Sequence, residues 1–169
     1  QYILYLILLI YLFIYLEVFL YFKKNKIIIY FYLLMSLILL FNINFKDEDY
    51  LRFNLLITII VSFDIFSFII GKYIGKRKIL SYISPKKTFE GLIGGIIFSF
   101  LTTLFFCYIF LIEINFYLFV FYIITITSSF FGDIIESLFK RSNNLKNSSN
   151  FLPGHGGFFD RFDSFILSL

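Results

Sequence analysis

The sequence predicts an all-α, polytopic membrane protein of about five to six transmembrane helices with polar loops between them. Three observations predict it. Of 169 residues, 60% are hydrophobic and only 15% charged, and the mean hydropathy is +0.89. A soluble domain is nearer half apolar and a quarter charged. The apolar residues are gathered into runs of about 18 or more, long enough to cross a hydrocarbon core. The basic residues collect in alternate gaps between those runs.

The first run extends from Tyr2 to Phe22 and is interrupted only by Glu17. It has no basic leader and no small-residue cleavage site, so it reads as a helix rather than a signal peptide. Glu17 lies close to the end of the run, where a long carboxylate can reach the interface. The second run covers Ile27 to about Phe45. The third covers about Phe53 to Ile70 and contains Asp64. The fourth covers about Leu92 to Ile112 and the fifth about Phe116 to Phe131. A further run starts at Phe162. Ile, Val and Phe favour strands by propensity, but in lipid each backbone group must be satisfied within its own segment, so long uninterrupted runs read as helices. The alternation of a barrel strand is absent.

Thirteen of the fifteen Lys and Arg residues lie in the first, third and fifth gaps. Lys23, Lys24 and Lys26 mark the first. Lys72, Lys76, Arg77, Lys78, Lys86 and Lys87 mark the third, and Lys140, Arg141, Lys146 and Arg161 the fifth. The positive-inside rule assigns these gaps to the cytoplasm, which is the inner face of the inner membrane if the source is bacterial. The net charge of +4 therefore serves topology and anionic headgroups, and no nucleic-acid partner is expected. The single cysteine, Cys107, excludes disulfides and reads as inert packing. Abundant Phe and Tyr without Trp read as A/T-rich codon usage. That bias also fills loops with Asn and Lys, which are given little weight singly. The start at Gln1 and the apolar run cut at Leu169 read as a fragment, or as a divergent gene product with cropped ends. We divide the chain into N-terminal transmembrane helices, residues 1–52, and a second membrane domain, 53–169, with a long polar loop at 132–164.

The fifth gap carries the chemistry. Asp133 and Glu136 are spaced i, i+3 and share a helix face, as do Asp160 and Asp163. Asp160 falls at the start of the last helix. Paired carboxylates beside substrate phosphates suit Mg²⁺. Lys140, Arg141, Lys146 and Arg161 suit phosphates. Between them, Pro153-Gly154-His155-Gly156-Gly157 lets backbone approach a ligand and point N–H groups at an anion. His155, the only histidine, reads as a ligand contact. A solvated interhelical loop is the plainer reading, but it accounts poorly for four acids beside four bases. In the third gap, Ser84-Pro85-Lys86-Lys87-Thr88 precedes Glu90 and Gly91, Gly94 and Gly95. This segment can bind a polyphosphate or act as a basic anchor. It lacks Walker A spacing. Gly91 and Gly95 also fit small-xxx-small helix packing. Asp64 within a span is either a functional intramembrane site or a hydrogen-bonded structural residue.

These residues resemble the phosphatidate cytidylyltransferases, or CDP-diacylglycerol synthases. The family signature is matched by Ser137, Lys140-Arg141, Lys146-Asn147, Pro153-Gly154-His155-Gly156-Gly157 and Asp160-Arg161-Phe162-Asp163. Asp133-x-x-Glu136-Ser137 and Ser84–Gly91 also look like the family, as does Asp64 followed by Gly71-Lys72 and Gly75-Lys76. Asn147 stands where the family pattern has Asp. The resemblance implies transfer of CMP from CTP to phosphatidate with Mg²⁺ as cofactor. It implies that Asp133, Asp160, Asp163 and Glu136 hold metal, and that Asp133, Lys140, Arg141, Lys146, His155, Asp160, Arg161 and Asp163 form the catalytic set. Ser84, Lys86, Lys87, Thr88, Gly154, Gly156 and Gly157 would bind substrate. CTP and phosphatidate are the expected partners, with a second copy of the chain as a further candidate. A CTP-dependent lipid or polyprenol kinase shares the same logic. A transporter using Asp64, and an inactive homologue carrying Asn147, are the remaining readings. A CDP-alcohol phosphotransferase is disfavoured, because no D-G-x-x-A-R motif is present.

Overall fold

A computed structural model describes residues 2–41, 47–152 and 156–168 of the chain. Six helices and one small hairpin follow in the order α1 (Tyr2–Tyr21), α2 (Lys26–Phe41), α3 (Asp47–Tyr73), β1 (Lys78–Leu80), β2 (Ser84–Thr88), α4 (Phe89–Ile109), α5 (Phe116–Ser142) and α6 (Phe159–Ser168). Four of them, α1, α3, α4 and α5, are long and apolar enough to cross a membrane. Their outer faces carry residues such as Leu9, Leu12, Phe68, Leu101 and Phe105 exposed. A soluble monomer does not display apolar surface on this scale. The chain is an all-α polytopic integral membrane protein, as its composition predicts.

Boundaries differ from expectation in informative ways. The α2 helix has 16 residues, short of a full span, and the expected end of the second run lies outside the described residues. The α3 helix begins at Asp47 and ends at Tyr73, overrunning the expected span at both ends. The α5 helix continues eleven residues past the expected Phe131, to Ser142, because nothing from Gly132 onward breaks it. It stops where Asn144 takes φ +56°. There Leu145 N–H donates to the Lys140 carbonyl (2.9 Å) and Asn144 N–H to the Arg141 carbonyl (3.1 Å), a Schellman ending. Much of the expected polar loop is therefore helical. The α6 helix is ten residues long and too short to span.

The chain forms two compact units. The first takes residues 1–46 and 131–167, so α1 and α2 pack with the end of α5 and with α6. Ser36 Oγ on α2 donates to the Ile166 carbonyl of α6 at 2.5 Å. Asn143 Oδ1 accepts from Lys23 N–H (2.7 Å) and Lys24 N–H (2.6 Å), and its amide donates to the Lys24 carbonyl. The α1–α2 turn is thus tied to the end of α5.

The second unit takes residues 47–130. Leu55, Ile59, Phe63, Cys107, Leu118, Tyr122 and Ile126 form its core, and the Cys107 thiol is buried packing as expected. Helices α3 and α4 meet at glycines. A β-carbon on Gly91 would lie 2.6 Å from the Ser67 carbonyl and 2.9 Å from Gly71 Cα, and one on Gly95 would lie 2.8 Å from Ser67 Cβ. The small-xxx-small reading holds. The third gap, expected as loop, contains the antiparallel hairpin, with Lys78 opposite Thr88 and Leu80 opposite Ser84. Glu90 secures its base by accepting from the Lys76 and Arg77 N–H groups at 3.0–3.2 Å.

Candidate active site

The first unit gathers five of the expected residues. A glycine places them. A β-carbon on Gly132 would lie 2.6 Å from the Asp163 carbonyl, so α6 runs directly against α5 at that point. Asp133, one residue on, receives the Ser164 hydroxyl at 2.5 Å. One turn along α5, Glu136 is fully buried, and Lys140 follows at i+4. The Lys140 ammonium sits 2.6 Å from Glu136 Oε2 and 2.7 Å from Asp160 Oδ1. Apart from that ion pair, the Glu136 oxygens have no hydrogen-bond partner among the described residues.

The two carboxyls of α6 are held differently. Asp160 is engaged on both oxygens. Its Oδ1 faces Lys140, and its Oδ2 accepts from Ser148 N–H (2.8 Å), Gly157 N–H (2.8 Å) and Ser148 Oγ (3.0 Å). Burial works against its ionisation, but the Gly157 N–H, the Lys140 ammonium and the Ser148 N–H outweigh burial and hold the carboxyl below its ordinary range. Asp163 is pushed well above that range, by burial first and then by the charges of Asp133 and Glu136. Similar groups one turn apart are thus set to opposite protonation tendencies.

Gly156 has φ +84°, a conformation that favours glycine, and a β-carbon there would lie 2.5 Å from Asp160 Oδ2. Leu152 N–H donates to the Gly156 carbonyl at 2.9 Å. Gly154 and His155 lie outside the described residues. Arg141, Lys146, Asn147 and Arg161 are exposed, and Arg141 Nη1 donates to the Leu145 carbonyl at 3.2 Å.

Among the described residues, no group of three or more Asp, Glu, His or Cys side chains is arranged to hold a metal ion. The structure does bring the Asp133 and Asp163 carboxyls side by side. Mg²⁺ is bound through one or two carboxylates completed by water and substrate phosphate. An all-oxygen pair whose mutual repulsion a cation would relieve fits that requirement.

The expected substrate segment belongs to the second unit. Thr88 Oγ1 accepts from Gly91 N–H at 3.2 Å and caps α4. The Lys87 ammonium lies 4.8 Å above the Phe130 ring. Lys86 is exposed and Ser84 half-buried. Asp64 is half-buried within α3.

Sequence reasoning missed three things here. Glu17 was set aside as able to reach the interface, but it is fully buried. Its carboxylate accepts from Ser149 Oγ (2.8 Å), Phe158 N–H (2.7 Å), Phe159 N–H (3.0 Å) and Ser148 Oγ (3.1 Å). The signal was its interruption of an apolar run, which costs too much to persist without partners. Ser148 and Ser149 carried no local signal. Tyr32 on α2 has a buried hydroxyl with no hydrogen-bond partner among the described residues, and Asp163, Glu136 and Asp133 are its acidic neighbours.

Fold and site together define a polytopic membrane protein with an acid–base cluster where helices end. A family model described as the cytidylyltransferase family matches residues 1–169, and the chain belongs to that family. It is 42% identical over 106 residues to a phosphatidate cytidylyltransferase of Staphylococcus haemolyticus, a stretch covering 61% of this chain and 40% of that protein. It is 44% identical over 106 residues, with the same coverage, to one of Staphylococcus saprophyticus. It is 43% identical over 116 residues to one of Bacillus subtilis, covering 64% of this chain and 40% of that protein. The matched part of the chain spans about 40% of the length of these relatives.

Proposed function

We propose that this chain carries the catalytic site of a membrane nucleotidyltransferase that transfers CMP from CTP to phosphatidate, giving CDP-diacylglycerol and pyrophosphate. The observation that carries the reading is the Glu136–Lys140–Asp160 ion-pair chain beside the Asp133–Asp163 pair, in a chain similar to proteins named for this activity.

An oxygen of the lipid phosphate attacks the α-phosphorus of CTP. The bond from that phosphorus to the bridging oxygen breaks, and pyrophosphate leaves with the electron pair. The nucleophile is already ionised, so the site's work is positioning and charge stabilisation. Asp133 and Asp163 would hold Mg²⁺, with the Glu136–Lys140–Asp160 ion pairs on the same two helices. When bound, the cation neutralises charge on the triphosphate. Lys140, fixed between two carboxylates, presents a cation of defined position, while exposed Arg141, Lys146 and Arg161 draw in phosphates. Gly154 and His155 are proposed ligand contacts, whereas Gly156 lies against Asp160 and the Gly157 N–H is held by Asp160 Oδ2 at 2.8 Å, so these two glycines shape the site. Ser84, Lys86, Lys87 and Thr88, in the second unit, form a phosphate-binding segment of their own. The basic gaps support a site on the cytoplasmic face, where soluble CTP would meet a lipid anchored by its acyl chains.

The test supplies membranes containing the full-length gene product with phosphatidate and CTP labelled at the α- or γ-phosphate, with and without Mg²⁺. Cytidylyl transfer puts α-label into lipid only with Mg²⁺. γ-Label in lipid would identify a kinase instead, and absence of both would refute the proposal.

A further inference from the structure

We propose that Glu17, on the first helix, is a positioning residue for this site, acting through Ser148 on Asp160 and thereby on Lys140. The inference rests on the cytidylyl-transfer reading above.

A buried carboxylate in an apolar helix survives only if its oxygens are satisfied. Each Glu17 oxygen takes one serine hydroxyl and one backbone N–H. Oε1 accepts from Ser149 and Phe158, and Oε2 from Ser148 and Phe159. The N–H groups of Phe158 and Phe159 stand at the start of α6, where helix donors lack partners of their own. Glu17 therefore caps α6 from another helix and fixes where its first turn begins. Asp160 is in that turn.

The two serines are not equivalent. Ser149 Oγ donates to Glu17, whereas Ser148 Oγ lies between two carboxylates, 3.1 Å from Glu17 Oε2 and 3.0 Å from Asp160 Oδ2. One hydroxyl proton can serve only one of them at a time, so the two carboxylates share it. The Ser148 N–H also binds Asp160 Oδ2, and Asp160 Oδ1 holds Lys140. The contact runs without a gap from α1 through the Ser148 turn and α6 to the ammonium on α5. Gly157 makes room for it. A β-carbon there would clash with Ser148 Oγ and lie 2.6 Å from both Glu17 oxygens.

The experiment compares Glu17→Gln, Glu17→Asp, Ser148→Ala and Ser149→Ala in the full-length membrane-reconstituted protein. Gln keeps the shape but turns an NH₂ toward two donors, displacing the turn. Small displacements of this kind cost up to about a hundredfold in rate. We expect Glu17→Gln to lower kcat by roughly tenfold to a hundredfold with KM for CTP nearly unchanged, and Glu17→Asp to recover part of the loss. Ser148→Ala lowers kcat and adds little to Glu17→Gln, whereas Ser149→Ala leaves kcat within about twofold. Hydrogen exchange at the Gly157–Phe159 amides reads the clamp independently of turnover and accelerates in Glu17→Gln. An active wild type with unchanged kcat in Glu17→Gln, equal kcat losses in the two serine variants, or unchanged exchange would overturn the inference. A wild type that transfers no CMP would instead remove the functional reading beneath it.

Discussion

The ammonium of Lys140 on α5 and the carboxylate of Asp160 on α6, twenty positions apart in the chain, meet at 2.7 Å. Both are largely buried, and Glu136 shares the same ammonium from the other side. Lys140 thus holds together two acids that would otherwise repel.

Removing that cation leaves the buried Glu136 without compensation and Asp160 with its hydrogen bonds alone. Lys140→Met should therefore destabilise the first unit by about 3–5 kcal/mol, measured as a lower thermal midpoint in detergent micelles, and should abolish CMP transfer. Glu136→Gln/Lys140→Met should recover part of that stability. A midpoint for Lys140→Met equal to that of wild type would refute the burial argument.

The two acids of α6 should show opposite pH signatures. Asp160 is held below the ordinary aspartate value of about 3.9, so its stabilisation is present above that value and is lost as pH falls through its own depressed pKa. Asp160→Asn should be destabilising at neutral pH and near-neutral in strong acid. Asp163 is held above the ordinary value, so its ionisation costs stability as pH rises from the ordinary value through the raised one. Asp163→Asn should raise the metal-free midpoint at neutral pH, a gain that fades as pH drops below the ordinary range, while removing activity. Midpoints measured from pH 3 to 8 would expose either sign as wrong.

On the proposed assignment, Mg²⁺ should raise the wild-type midpoint more as pH increases, since the ionised Asp133–Asp163 pair would be its binding form. Asp163→Asn should lose most of that shift. A shift independent of both pH and Asp163 would place the cation elsewhere.

At the α3–α4 contact, Gly91→Val should cost about 2 kcal/mol or more, because its branched side chain must displace the Ser67 carbonyl. Proteolysis of the second unit should report the loosening.

Asn143→Ala removes an acceptor shared by the Lys23 and Lys24 N–H groups. It should cost about 1–2 kcal/mol, read by micelle denaturation, with CMP transfer retained at temperatures where the variant stays folded.

What could be read from the sequence follows from the range of each interaction. The spans were legible because length and apolarity are local properties of a run. Asp133, Glu136 and Lys140 were legible as one face because helical spacing is local too. The Lys78–Thr88 hairpin was not, since its residues are basic and lack strand alternation. The extension of α5 was missed because a change from apolar to polar residues resembles the end of a span but does not end a helix. Glu17 was judged by its distance from a helix end, while its partners lie 131 to 142 residues away. Asn143 was discounted with the other loop asparagines, and only its contact with the α1–α2 turn distinguishes it.

The separation between Glu17 and Ser148 also has a consequence for biogenesis. Glu17 leaves the ribosome 131 residues before Ser148, on the order of ten seconds earlier at ordinary elongation rates. For that interval the first helix carries an acidic side chain whose acceptor sites have no native donor. The nascent chain must keep that side chain at the headgroup layer or in the insertion machinery. Only after the segment from Ser148 to Phe159 is made can the helix settle to its native depth, so assembly of the first unit waits on that segment.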